Sequence, residues 1–253
     1  MSSIPSLLKH KDYITLIGTT LGVIALICAV LGTRTFVSVG FFLISLTLGT
    51  DLLDGFIARK TGTVNKIGIE LDSLSDSLTF GIAPSILIFQ AFKRGTPYDI
   101  FLIIGCACFV YGAILRLARF NITVEEEPGY KGVPTPLSCL MVITFFYANY
   151  FYVLASGDPT YPFIDISYYA VPVIMILIGW FNITTYIQFK EKGKGVYILF
   201  LVFAPLSPIF GIVGLLLTNF AVLIFVSFFF LIAFFFLIGY VIVGFVINAR
   251  NKN

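Results

Sequence analysis

Residues 195–249 read GVYILFLVFAPLSPIFGIVGLLLTNFAVLIFVSFFFLIAFFFLIGYVIVGFVINA, without one charged side chain. A helix needs about 20 apolar residues to cross about 30 Å of hydrocarbon, so this stretch is long enough for two spans. Thr218-Asn219 is the polar pair at which they divide, and Pro205 and Pro208 are expected to kink the first of them. The rest of the 253-residue chain has the same character, with 58% hydrophobic and only 11% charged residues. A soluble domain carries about 25% charged residues, so a water-soluble globule is excluded. Low charge together with 28 Phe also excludes a disordered chain.

Eight apolar segments are drawn on this basis: 13–32, 36–58, 69–91, 99–121, 136–155, 167–188, 196–217 and 221–247. The expected fold is an all-α polytopic membrane protein with about eight transmembrane helices. The first segment reads as a retained span, because it ends without a cleavage site of small residues. Cations set the orientation. With a cytoplasmic N-terminus, Lys9, Lys11, Arg59, Lys60, Lys66, Arg116, Arg119, Lys131, Lys190, Lys192, Lys194, Arg250 and Lys252 fall inside. Arg34, Lys93 and Arg94 fall outside. Both termini are therefore expected to be cytoplasmic and the protein to reside in the cell membrane. No basic run reads as a nucleic-acid site. Cys28, Cys106, Cys108 and Cys139 all lie in apolar stretches and are expected to be small core residues. Gly18 and Gly22 form a small-residue pair suited to close helix packing.

Charge is so scarce that its position is informative. Asp51 and Asp54 end the second segment, and Asp72 and Asp76 begin the third, both on the side expected to be cytoplasmic. At about 100° per residue, Asp51, Asp54, Gly55 and Ala58 share one helical face. Gly68, Asp72 and Asp76 form a stripe on the next helix. The connection, 60–67, is short enough to make the two helices antiparallel neighbours, with both carboxylate pairs at one depth. Four such carboxylates repel unless cations lie between them. Oxygen ligands suit the hard cations Mg²⁺ and Mn²⁺. Two metals about 3.5–4 Å apart are a known device for displacement at phosphorus. Gly55 and Ala58 leave the helix face nearly bare before Arg59, with room for a flat group against the backbone.

The run Asp51-Leu-Leu-Asp54-Gly55-Phe-Ile-Ala58-Arg59, eight further residues, then Gly68-Ile-Glu-Leu-Asp72-Ser-Leu-Ser-Asp76 resembles the CDP-alcohol phosphotransferase signature D-x2-D-G-x2-A-R-x8-G-x3-D-x3-D. Every fixed position and both spacings match. The resemblance implies a membrane enzyme that moves a substituted phosphate from a CDP-linked donor to an alcohol, releasing CMP. It also implies a six-helix core, here within residues 1–188, and a homodimer. Residues 189–253 would then add two C-terminal transmembrane helices. By the same resemblance, two divalent cations, Mg²⁺ or Mn²⁺, bind at Asp51, Asp54, Asp72 and Asp76, and Asp76 also serves as general base. Gly55, Ala58 and Arg59 would receive the nucleotide and its phosphate.

Two further stretches look like the phosphatidylserine synthase branch of that family: Glu70 through Pro84, and Arg116-Leu-Ala-Arg119-Phe120-Asn121 followed by Tyr130 through Pro136. They imply L-serine as acceptor and CDP-diacylglycerol or CDP-archaeol as donor, held among membrane lipids at the cytoplasmic face. Where many relatives carry P-N-x-x-T before the first span, this chain has Lys11-Asp12-Tyr13-Ile14-Thr15. Arg116 and Arg119, one turn apart, suit a phosphate or the serine carboxylate, because the planar fork pairs such anions bidentately. Lys131 is a weaker candidate for the same task.

Other readings stand beside this one. Glycerol phosphate or an inositol phosphate would serve the same chemistry as acceptor. An ion-coupled transporter would use the Asp cluster as its ion site, with acids near mid-membrane and broken helices in both halves. A membrane prenyltransferase would also use Asp-rich motifs, set much farther apart in sequence than Asp54 and Asp72.

Overall fold

The computed structural model describes residues 7–61, 66–122, 130–157, 165–189, 206–213, 215–216 and 219–251. Its helices are α1 (His10–Leu31), α2 (Arg34–Thr61), α3 (Lys66–Asp76), α4 (Ala83–Phe92), α5 (Asp99–Ile122), α6 (Thr135–Ser156), α7 (Asp165–Ile183) and α8 (Phe220–Asn251). A π-helical segment, Ser77–Ile82, joins α3 to α4. Among the described residues, seven helical runs are long and apolar enough to cross a membrane, α3 through α4 counting as one. The chain is thus an all-α, multi-pass membrane protein. The expected span 196–217 lies largely outside the described residues, with 206–213 helical.

The π segment was not anticipated, and Pro84 explains it. Proline has no N–H to donate, and in a regular helix its ring would meet the carbonyl four residues back. Here the backbone widens just before it, and the Ala83 N–H reaches Leu78 O, five residues back. The wider turn keeps the span continuous and follows directly on Asp76.

α6 is the hub of the bundle. Buried share is 89% along its apolar window, against 33–56% for the other spans. Its residues are therefore apolar all round rather than along one stripe. Phe41 of α2 stacks on Phe146 at 4.0 Å, and Phe230 of α8 stacks on Tyr147 at 4.9 Å. The buried Tyr147 hydroxyl is satisfied by Ser38 O at 3.0 Å, and Ser227 of α8 donates to Ala148 O at 2.7 Å. Outward side chains such as Phe225, Phe228, Phe235 and Phe236 are more than half exposed, which suits a surface that meets lipid rather than water.

Glycine sets how closely the helices approach. A Cβ at Gly105 would stand 2.7 Å from Pro172 O, and one at Gly179 2.6 Å from Cys108 O, so α5 and α7 meet backbone to backbone. Gly18 and Gly22 lie equally close to Thr50 of α2 and Thr79 of the π segment. Their packing is thus within the chain, as the Gly18–Gly22 spacing suggested. Cys28, Cys106 and Cys139 are buried free thiols and Cys108 is half-buried, as expected of core residues.

α7 ends at Ile183, five residues short of the expected segment end. The chain leaves the helix there to form a two-residue antiparallel bridge, in which β2 (Gln188–Phe189) pairs with β1 (Tyr130–Lys131). Val133 N–H donates to Phe181 O and Gly132 N–H to Ile187 O, both at 2.9 Å. This bridge fixes the approach to α6. At the far end of the bundle, Arg94 clasps the turn before α5 onto α7. It pairs with Asp165 at 2.6 Å and lies 4.1 Å over the Tyr168 ring.

Candidate active site

α2 descends to Asp51 and α3 rises from Lys66, so the helices bring Asp51, Asp72 and Asp76 together from opposite chain directions. One carboxylate oxygen from each lies within 4.8 Å of the others, and all three side chains are half-buried. Asp72 and Asp76 are four residues apart and share a helix face. Asp54, Gly55, Ala58 and Arg59 follow in the last turns of α2, and their side chains lie outside the described residues.

The three carboxylates open into a cleft between α1, α2 and α3. Thr15 and Gly18 line it from α1, Thr47 and Thr50 from α2, and Ser75, Thr79 and Phe80 from α3 and the π segment. The hydroxyls direct their protons away from the cleft. Thr15 donates to Lys11 O, Thr47 to Ile44 O, Thr50 to Thr47 O and Thr79 to Ser75 O, at 2.7–3.3 Å. Ser75 donates to Thr15 O and receives the Thr19 hydroxyl at 2.7 Å. The wall is therefore rich in acceptors, with three carboxylates among them. Such a donor set suits a hard cation and repels a bare phosphate.

α1 adds charge beside this cleft. Asp12 is fully buried; its Oδ2 receives the Lys9 N–H at 2.7 Å, and its Oδ1 faces the Lys11 ammonium at 3.5 Å. A carboxylate in the first turn is favourably placed at a helix N-terminus. Lys11 is itself only 7% exposed. Sequence reasoning singled out Lys11 through Thr15 as a departure from the family pattern and missed the burial of Lys11, Asp12 and Thr15. It also missed the hydroxyl wall. Polar residues one turn apart in otherwise apolar spans, such as Thr15 with Thr19 and Thr47 with Thr50, were the available signal.

Arg116, Arg119 and Lys131 lie on the same side of the bundle, at the ends of α5 and β1. Ser73 of α3 hydrogen-bonds Asn121 of α5 at 3.1 Å, tying this region to the helix that carries Asp72. Arg116 donates to Thr135 Oγ1 at 3.0 Å, at the start of α6. Arg119 is engaged differently. Its guanidinium donates to Ile183 O at 2.7 Å, Lys131 O at 2.8 Å and Asn182 O at 3.2 Å, closing the end of α7 onto β1. The Lys131 side chain is exposed. Behind this clasp, Ser138 and Asn182, both fully buried, form a short hydrogen bond between α6 and α7.

A carboxylate-lined cleft at one end of a helical membrane bundle defines a class that the sequence comparison identifies. Residues 10–187 match the family model described as CDP-alcohol phosphatidyltransferase, and the chain belongs to that family. Among its relatives is the CDP-diacylglycerol–serine O-phosphatidyltransferase of Methanocaldococcus jannaschii, 39% identical over 57% of this chain and 64% of that protein. The archaetidylserine synthase of Methanothermobacter thermautotrophicus is 30% identical over 68% of this chain and 69% of its own length. The CDP-diacylglycerol–serine O-phosphatidyltransferase of Bacillus subtilis is 37% identical over 44% of this chain and 59% of its own. The chain thus spans less than two thirds of the first and third of these relatives.

Proposed function

We propose that the protein transfers the phosphatidyl or archaetidyl group of a CDP-linked lipid to L-serine, releasing CMP. The observation that carries this reading is the acceptor-lined cleft in which Asp51, Asp72 and Asp76 converge, in a chain whose named relatives act on serine. Asp51, Asp54, Asp72 and Asp76 would hold two Mg²⁺ or Mn²⁺ ions. When bound, these supply charge neutralisation for the pyrophosphate and for departing CMP. Gly55 and Ala58 leave space for the cytidine, and Arg59 assists the phosphate.

Serine is a weak nucleophile and needs a base within hydrogen-bond reach. Asp76 takes the hydroxyl proton as the serine oxygen attacks the lipid-linked phosphorus. An oxygen–phosphorus bond forms to serine, and the bond from that phosphorus to the CMP oxygen breaks. Arg116 suits the serine carboxylate best, because its end of α5 adjoins α6 near Asp76, whereas Arg119 is committed to three carbonyls. Lys131 serves as an exposed, longer-range attraction for anions.

The cation distribution supports a cytoplasmic site, with both termini on that side. Residues 1–188 carry the chemistry and residues 189–253 support it, and the enzyme works as a homodimer. The test is CMP release by purified protein given CDP-lipid, Mn²⁺ and a series of alcohols. Serine should be the preferred acceptor, and Asp76→Asn should lower turnover by more than about 100-fold while the protein still inserts. Glycerol phosphate outperforming serine would move the acceptor assignment. No CMP with any alcohol would sink the enzyme reading in favour of ion transport.

A further inference from the structure

α1 and α3 run parallel, since Thr15 and Thr19 meet Ser75 while Gly22 meets Thr79. One turn earlier on each helix, the same register sets Lys11 and Asp12 beside Asp72. Lys11 also shares a face of α1 with Thr15, which lines the cleft together with Asp72. A lysine only 7% exposed, in a helix whose residues from Tyr13 to Leu31 carry no charge, calls for a reason beyond solubility. Its pairing with Asp12 supplies part of one, but a lone pair of opposite charges at this depth offers little over an apolar substitute. The cleft supplies the remainder. Asp12, Asp51, Asp72 and Asp76 bring four carboxylates to one end of three helices, and Lys11 is a buried cation on α1 at the same level.

We infer that Lys11 is an internal counter-charge of the carboxylate cleft, a positioning residue that steadies Asp72 and lowers the affinity of the site for divalent cations. The inference rests on the metal-assisted reading above. A fixed ammonium beside Asp72 keeps the carboxylates assembled without metal and repels an incoming dication. The site then exchanges metal instead of trapping it.

The test is Mn²⁺ binding to the full-length detergent-purified protein, read by electron paramagnetic resonance as loss of the free-ion signal. Lys11→Gln keeps a polar side chain beside Asp12 without the charge and should bind Mn²⁺ about tenfold more tightly than wild type. Lys11→Arg, which keeps the charge, should stay within about twofold. Should Lys11→Gln fail to fold, Lys11→Met/Asp12→Asn carries neither charge. Compared with Asp12→Asn alone, it should again bind about tenfold more tightly. Affinity unchanged or weakened on loss of the Lys11 charge, with normal wild-type binding, would overturn the role of Lys11 alone. Wild-type protein that binds no Mn²⁺ would overturn the metal-assisted reading, and this role with it.

Discussion

Arg116 and Arg119 are one turn apart and alike in chemistry, yet the structure gives them different work. Arg119 donates to carbonyls of Lys131, Asn182 and Ile183, and so joins two segments far apart in sequence. Arg119→Ala should lower stability by about 1–2 kcal/mol, since hydrogen bonds from charged donors contribute modestly where partly exposed. Thermal unfolding in detergent reads that loss, and Arg119→Lys should recover only part of it, because an ammonium lacks the planar fork. Arg116→Ala should instead raise the KM for serine by tenfold or more, with little change in melting temperature. Equal effects of the two alanine variants on serine KM would show that both reach the acceptor. Nothing in the Arg116–Arg119 spacing distinguishes them, since the carbonyls that Arg119 meets come from the ends of α7 and β1.

Helix contacts explain why the carboxylates converge. α1 lies against α2 and the π segment because Gly18 and Gly22 present no side chain there, and a Cβ on Gly18 would stand 2.7 Å from Thr50 Oγ1. Thr50 immediately precedes Asp51, so Gly18→Val should push α2 outward and displace Asp51 from Asp72 and Asp76. Turnover should fall at least tenfold, with about 1–3 kcal/mol of overpacking cost in thermal unfolding. Seven of the eight expected segments were legible because lipid exposure demands long apolar runs, whatever they pack against. Their ends were less so. α7 stops at Ile183 because the chain pairs as a strand at Gln188–Phe189, and that partner lies nearly sixty residues earlier. The π segment escaped because Pro84 follows a helical start in an apolar run, where a kink and a widened turn read alike.

For the molecule as a whole, α6 carries the bundle and α8 covers one of its sides. Removing residues 189–253 would expose Tyr147 and leave Phe151 without its Phe230 neighbour. The truncated chain should insert but unfold at a temperature at least about 10 °C lower, which a melting curve in detergent checks. Chelation addresses the other end of the molecule. EDTA should abolish CMP release and Mn²⁺ should restore it, while the melting temperature of the full chain changes little, because the helices are held by packing remote from the cleft.

The sequence by itself determined that the chain spans a membrane, since 11% charge cannot cover a soluble surface. It also marked the acids that the structure brings together, because acids are retained in apolar spans only at a cost that function offsets. Asp51, Asp72 and Asp76 were therefore legible before any fold was known. Tertiary structure alone decided what surrounds them. The hydroxyls of three helices turn their protons onto backbone carbonyls and away from the cleft, Lys11 and Asp12 are buried together, and Arg119 is taken up by backbone carbonyls. Each of these depends on distances between residues remote in the chain, which periodicity along one helix does not encode.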